Sequence, residues 1–262
     1  MNAPLHETVL VTGASSGIGL ELARCFAADG CRLVLLARNT TALEALADKL
    51  RGEHKVEALV LTADLSLPET PPRVFQELQG RGIQVDVLVN NAGFGASGTF
   101  AGLPLQRQLE IVQVNITALT ALTGLFLPGM IERRRGGVLN VGSVAGFLPG
   151  PGMAIYFATK AFVLSFTEAL AEELSGTGVT ATALCPGPTE SNFGNVARGP
   201  RTRPIRIFKM TAESVARHGH DAFRQRKVVA IPGWRNRLLV FLIWVLPRWP
   251  VRRLAKFFNR TQ

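Results

Sequence analysis

An α/β fold built on a parallel sheet covered on both faces is what this 262-residue sequence predicts, and three observations carry the prediction. The apolar strand candidate Thr8 to Thr12 runs through Gly13-Ala14-Ser15-Ser16-Gly17-Ile18-Gly19 into a helical stretch from about Leu20 to Ala28, in the order strand, glycine turn, helix. Short β-branched and leucine-rich runs then alternate with helical patterns, with no linker or internal repeat between them. The run Val85 to Val89 closes on Asn90-Asn91-Ala92-Gly93, placing amide side chains and a glycine where open α/β sheets bind ligands. The length fits one large domain, residues 1–233, with residues 234–262 as a basic, apolar helical extension.

The first turn suits a pyrophosphate. Its glycines let the backbone approach closely, and free amides at the helix N-terminus bind the anion, so Gly13, Ser15, Ser16, Gly17, Ile18 and Gly19 are candidate contacts. The alternative is a tight strand-to-helix connection without a ligand. Cys31 to Leu36 reads as a second buried strand. An NAD-type site puts Asp or Glu at the end of that strand, but Ala37 and Arg38 stand here. With no carboxylate for a ribose 2′-hydroxyl and a guanidinium where a 2′-phosphate would lie, NADP(H) is favoured over NAD(H). A solvated strand-end arginine is the competing reading.

Thr40 to Leu50 has helical spacing at Leu43, Leu46, Ala47 and Leu50, and the strand Val56 to Leu61 follows, ending in Ala63-Asp64-Leu65. Asp64 is within reach of an adenine, or is a polar turn residue. Pro71 to Gln79 reads as a helix before the strand Val85 to Val89. Leu109 to Leu127 is an apolar helical run that contains Asn115. An unpaired buried amide costs about 1–3 kcal/mol, so Asn115 requires a partner unless it kinks the helix or lies at the surface. Gly137 to Val141 is the next strand, and Ser143 stands just beyond it.

Residues 143–160 bring a hydroxyl, a phenol and an ammonium to usable spacings. Tyr156 is the only tyrosine, and Ala154 to Leu174 holds no Gly or Pro, so Tyr156 and Lys160 should share one helix face. A cation beside a phenol favours phenolate and draws its pKa from about 10 toward working pH, as a general acid or base needs. Ser143 is placed to hydrogen-bond the oxygen that gains or loses the proton. A chance surface pair is the bland alternative.

Thr12-Gly13-Ala14-Ser15-Ser16-Gly17-Ile18-Gly19, Asn90-Asn91-Ala92-Gly93, Asn115, Ser143, Tyr156 with Lys160, and Pro186-Gly187 stand together in the order and spacing of the short-chain dehydrogenase/reductases. The chain resembles that family over roughly residues 8 to 233, and its GxxxGxG glycines match the compact branch. The resemblance implies a doubly wound, Rossmann-like three-layer sandwich with a seven-stranded parallel sheet and hydride transfer at the nicotinamide C4. It also implies that Tyr156 exchanges the proton, Lys160 lowers its pKa and binds the ribose, and Ser143 holds the substrate oxygen. Asn115 would carry a water linking Lys160 to solvent. Leu65, Asn91, Ala92, Gly93, Pro186, Gly187, Thr189 and Ser191 would join the cofactor contacts, with Ser191 standing where Thr is usual in the loop that clasps the carboxamide. Ser16 departs from many NADP(H)-selective members, which carry Lys or Arg before the second turn glycine.

Net charge is +10 but uneven: residues 198–262 hold 16 Lys plus Arg against two acids, a net +14, while residues 1–197 hold 13 against 17, a net −4. No nucleic-acid-binding motif accompanies this excess, so anionic lipid or an acidic substrate fits better than nucleic acid. Cys25, Cys31 and Cys185 lack metal spacing and read as buried thiols in a reducing compartment; with no signal peptide, a cytoplasmic location is expected. Phe94, Phe147, Leu148, Pro149, Met153 and Phe193 suggest a hydrophobic carbonyl or alcohol as substrate, and residues 191–211 suit a lid. Arg198, Arg201, Arg203 and Arg206 would meet an anionic tail or be solvated.

Leu238 to Leu246 is a nine-residue apolar run, too short to span a bilayer, flanked by arginines and aromatics. It suits a helix on an anionic membrane surface, or one docked on the pocket or between subunits. Ile116 to Phe126 and Ile155 to Phe166 are apolar nearly all round, which predicts a homodimer or homotetramer; family members commonly pair through these helices. The expected activity is NADP(H)-dependent interconversion of a hydrophobic ketone or aldehyde and its alcohol. Alternatives are a lipid-directed reductase at a membrane and a non-catalytic nucleotide sensor.

Overall fold

The structure is a computed structural model that describes residues 7–190 and 209–258. Strand β1 (Thr8–Thr12) leads to α1 (Gly17–Ala28), followed by β2 (Arg32–Ala37), α2 (Thr40–His54), β3 (Ala58–Thr62), α3 (Thr70–Gly80) and β4 (Val87–Asn90). A long helical segment then comprises α4 (Leu105–Val112), a π-helical stretch (Gln113–Ala118) and α5 (Leu119–Glu132). After β5 (Gly137–Val141) and a short 3-10 helix (Val144–Phe147) come α6 (Ala154–Glu173), β6 (Thr180–Leu184) and β7 (Thr189–Glu190). Beyond the undescribed stretch are β8 (Met210–Thr211), α7 (Ala212–Arg224), β9 (Val229–Ala230), α8 (Trp234–Val245) and α9 (Arg248–Phe258).

Seven strands form one sheet in the order β3-β2-β1-β4-β5-β6-β9, and every neighbouring pair is parallel. The period-2 alternation of strand side chains divides the core in two. Val9, Val11, Leu33, Leu35, Val87 and Val89 face the layer containing α1, α2 and α7. Leu10, Val34, Leu36 and Leu88 face the layer of α3, α5 and α6. Such two-sided burial explains why these strands read as nearly continuous apolar runs. This is the expected α/β sandwich with seven parallel strands.

Helix α7 is locked to α1 at one flank. Arg224 donates to Glu7 at 2.6 Å and to Asp29 at 2.9 Å, and Phe223 meets Phe26 edge-on at 6.0 Å between ring centroids. The three cysteines are unpaired, and burial pushes their thiols up, to about 11 for Cys25 and about 12 for Cys31 and Cys185. Cys25 is only partly buried, unlike the other two.

The structure refines several sequence expectations. Helix α1 begins at Gly17 rather than Leu20, and a short last strand, Val229–Ala230, pairs with β6 through two residues. Of the expected lid, residues 191–208 lie outside the described residues, while Met210 and Thr211 pair with β7 as a two-stranded ribbon. The C-terminal extension is two helices, because Pro247 cannot continue α8.

Candidate active site

In a wholly parallel sheet all C-terminal strand ends lie along one edge, and strand order reverses between β1 and β4. The candidate residues gather at that edge. Gly13 takes φ +64° and Gly17 φ +58°, left-handed conformations that suit glycine. A Cβ at Gly19 would lie 2.5 Å from the Gly13 carbonyl oxygen, so the turn also closes too tightly there for any side chain. At the start of α1, Ser16 makes no side-chain capping bond and the first turn has no acidic residue. These N-terminal amides therefore suit a pyrophosphate, and the residues fit a dinucleotide.

The turn is braced from β4. Asn91 Nδ2 donates to the Thr12 and Gly13 carbonyls at 2.9 and 3.2 Å, and the backbone amides of Asn91 and Ala92 each donate to Thr12 Oγ1 at 3.0 Å. Thr12 Oγ1 in turn donates to Val89 O at 3.2 Å. Thr12 stands in the motif, but its role as the joint between turn and strand depends on residues nearly 80 positions away. Behind the edge, Asn90 Nδ2 donates to Asn140 Oδ1 at 2.9 Å and Asn140 Nδ2 to Thr167 at 2.9 Å, tying β4, β5 and α6 together.

Arg38 and Asp64 follow β2 and β3, and their side chains approach to 3.8 Å. Arg38 is largely exposed, so its head remains accessible to an anion. Asp64 accepts from Ser66 N at 2.9 Å. Its pKa is the outcome of opposed influences: burial, the largest, raises it, while the Ser66 bonds and Arg38 bring it below the ordinary carboxylate range. Leu65 is buried in the core beside it.

Ser143, Tyr156 and Lys160 come together. Ser143 caps the 3-10 helix by accepting from Ala145 N at 3.1 Å, donates to Pro186 O at 3.4 Å, and lies near enough to the Tyr156 hydroxyl to lower its pKa. Gly146 lies against α6, where a Cβ would come within 2.6 Å of Lys160 O, so the short helix is seated directly on the one carrying Tyr156. Lys160 Nζ donates to Val141 O at 2.7 Å and lies 5.9 Å from the Tyr156 ring centroid. The expected acidification of the phenol is not what these positions produce. Burial pushes the Tyr156 hydroxyl up to about 12, against a lowering by Ser143, although part of the residue retains solvent contact. Burial likewise brings Lys160 down to about 8. Desolvation opposes charge on both groups, and the ammonium donates to the Val141 carbonyl.

Asn115 occupies the π-helical stretch and is almost wholly buried. It accepts from Phe94 N at 3.1 Å and donates to Phe94 O at 3.0 Å and Thr159 Oγ1 at 3.0 Å. The partner its buried amide requires is therefore protein. These bonds hold the loop after Gly93 against α6. Gly95, which the sequence reading did not single out, abuts the phenol: a Cβ there would lie 3.0 Å from Tyr156 Cδ2 and 3.2 Å from Met153 Cε.

Across the opening, Pro186 O accepts from Val144 N at 2.9 Å, and Thr189 Oγ1 donates to Gly187 O at 2.9 Å. Gly187 is covered by Asn236 of α8. Phe94 is partly buried under Arg107, whose guanidinium carbon lies 4.1 Å from its ring centroid. Phe147 packs into the core near Leu164 and Cys185, so it is at least as much core as lining. Ser191, Phe193 and Arg198, Arg201, Arg203 and Arg206 lie outside the described residues.

Comparison with known proteins agrees with this geometry. The short chain dehydrogenase family profile matches residues 7–200. A very-long-chain 3-oxoacyl-CoA reductase of Rattus norvegicus is 33% identical over 269 residues, covering 98% of this chain and 81% of that protein. Two solved structures superpose closely. A short-chain dehydrogenase from Sphingobium yanoikuyae in complex with NADPH has TM-score 0.82 and 34% identity, covering 98% of this chain and 97% of its own. A short chain dehydrogenase/reductase from Burkholderia phymatum in complex with NAD has TM-score 0.81 and 26% identity, covering 100% and 98%.

Proposed function

The chain belongs to the short-chain dehydrogenase/reductase family, and on that premise we propose that it is an NADP(H)-dependent oxidoreductase interconverting a hydrophobic ketone or aldehyde and its alcohol. The observation that carries this reading is Ser143 close enough to the Tyr156 hydroxyl to lower its pKa, with Lys160 beside the ring, at the same sheet edge as the open N-terminus of α1. The nicotinamide, when bound, supplies or takes up the hydride.

The chain's own residues bind, orient and move a proton. Amides from Gly13 through Gly19 hold the pyrophosphate, Arg38 meets the 2′-phosphate, and Asp64 and Leu65 flank the adenine. Asn91, Ala92, Gly93, Pro186, Gly187 and Thr189 line the nicotinamide side. The Tyr156 phenol, protonated at neutral pH and pushed up to about 12 by burial, is a donor to a carbonyl oxygen. Ser143 hydrogen-bonds the same oxygen as negative charge develops there. Lys160, brought down to about 8, remains mostly ammonium at neutral pH, binds the ribose and compensates the phenolate left behind. Asn115 positions this group by bracing Phe94 and Thr159.

A lipid-directed carbonyl substrate is the second reading, favoured by Met153 and Phe157 beside Tyr156 and by the exposed apolar stripe of α8. In either case the chain works as a homo-oligomer. Tyr156→Phe is the test. It is expected to leave NADPH affinity nearly unchanged while removing most turnover across a panel of apolar ketones and aldehydes, measured as NADPH oxidation. Undiminished turnover rejects the catalytic assignment. NADPH binding by the wild type without turnover on any carbonyl favours a nucleotide sensor.

A further inference from the structure

The outer face of α8 breaks the rule for a helix on a protein surface. Trp234, Leu238, Phe241, Leu242 and Val245 fall at i, i+4, i+7, i+8 and i+11, one continuous stripe, and each is between 45% and 69% exposed. The opposite face, with Asn236 buried and Val240 and Ile243 partly so, is the one turned to the protein. Asn236 donates to Pro232 O at 2.7 Å and covers Gly187. A helix seated on the protein by its inner side thus carries a continuous apolar stripe outward, the kind of exposed patch that marks an interaction site.

Charge selects the occupant. Residues 234–262 hold seven Arg plus Lys and no acid. On the helical wheel Arg235 and Arg237 flank the two sides of the stripe, and α9, whose Val251 and Ala255 are buried, exposes Arg252 and Arg253 beside Trp249. A second copy docking through this stripe would bring like charges together. An anionic bilayer meets both properties at once: acyl chains take the stripe and headgroups take the arginines. At 12 residues, α8 is far short of the roughly 20 that span a bilayer, so it would lie in the interface plane.

We propose that α8 and α9 form a docking surface for an anionic lipid bilayer, placed beside the entrance to the candidate active site. The position follows from α8 contacting the Val144–Phe147 helix next to Ser143 and covering Gly187. A groove of about 440 Å³ lined by Pro151, Trp249, Arg252 and Arg253 lies between α9 and the loop that leads to Tyr156. Docked through this surface, the protein takes its apolar carbonyl from the lipid phase. That last step rests on the proposed function, whereas the bilayer contact stands on the helices alone.

The test sediments the full chain with phosphatidylcholine vesicles, with and without phosphatidylserine, at low and high salt, and follows NADPH oxidation with a water-soluble carbonyl. Wild type is expected to sediment with the anionic vesicles and to be released by salt. Phe241→Glu with Val245→Glu should weaken vesicle affinity by about tenfold or more while leaving soluble turnover intact. Arg248→Gln, Arg252→Gln and Arg253→Gln together should abolish the preference for anionic vesicles without disturbing the apolar stripe. Absence of wild-type sedimentation overturns the proposal. So does full vesicle binding by the Phe241→Glu and Val245→Glu variant, or a loss of self-association as its only change, which would identify a second copy as the occupant. Vesicle binding without turnover on any carbonyl keeps the surface and rejects only the enzymatic reading.

Discussion

Tyr156 and Lys160 lie one helical turn apart, yet both are shifted away from their charged forms. The sequence places them side by side, but only the surrounding layers desolvate them. A pH signature follows. Lys160 titrates near 8 in the folded protein and near 10.5 unfolded, so the unfolded chain binds more protons between those values and stability rises with pH across that window. Tyr156 works the other way above pH 10, since its folded value is about 12 and the unfolded phenol ionises first. Lys160→Met should therefore flatten the rise between pH 8 and 10, a contribution approaching about 3 kcal/mol by its upper end, read from urea denaturation midpoints. A wild-type profile that matches the variant would show that Lys160 is not desolvated. Arg38 permits a second measurement. Arg38→Ala should weaken NADPH about tenfold or more and leave NADH nearly unchanged, because a guanidinium favours a phosphate far more than a hydroxyl. Equal losses would reject the 2′-phosphate contact.

At the scale of elements, local pattern and distant partners divide the result. Helices α2 and α3 and the strand Gly137–Val141 follow from apolar periodicity, and the structure places them within a few residues of that expectation. The π-helical stretch was not legible. Its Asn115 bonds Phe94 and Thr159, 21 and 44 residues away, and such partners leave no mark in a local pattern. Strand β6 and helix α7 had usable signals, a Val179–Leu184 run and a Thr211 N-cap bonded to Ser214, which the sequence reading passed over. The clamp between α7 and α1 is a tertiary feature of the same kind. Arg224→Ala removes partners from Glu7 and Asp29 and packing over Phe26, 5.1 Å from the ring centroid, and should cost about 2 kcal/mol in chemical denaturation. A loss within error would mean that solvent replaces the clamp.

Across the whole molecule, apolar surface remains open among the described residues on the outer stripe of α8, at Phe100, Leu105 and Leu109 around the start of α4, and more sparsely on the outer faces of α5 and α6. The segment Leu105–Glu132 and α6 are each apolar and long enough to pass a membrane-span criterion, yet both lie along the sheet with their inner faces in the core. Their outward positions include the small residues Thr120, Gly124 and Ala158, which permit close approach of a second copy. Thr120→Arg should reduce the mass seen by analytical ultracentrifugation toward the monomer; an unchanged oligomer would place the interface elsewhere. The sequence alone determined the α/β class, the glycine turn and the grouping of Ser143, Tyr156 and Lys160, because each is written in local spacing or in a motif's order. Tertiary structure decided the desolvation of the site, the bracing of Phe94 by Asn115, the contact of Gly95 with the phenol and the outward turn of α8. Desolvation and close approach are produced by residues far apart in the chain, and they exist only once the layers have packed.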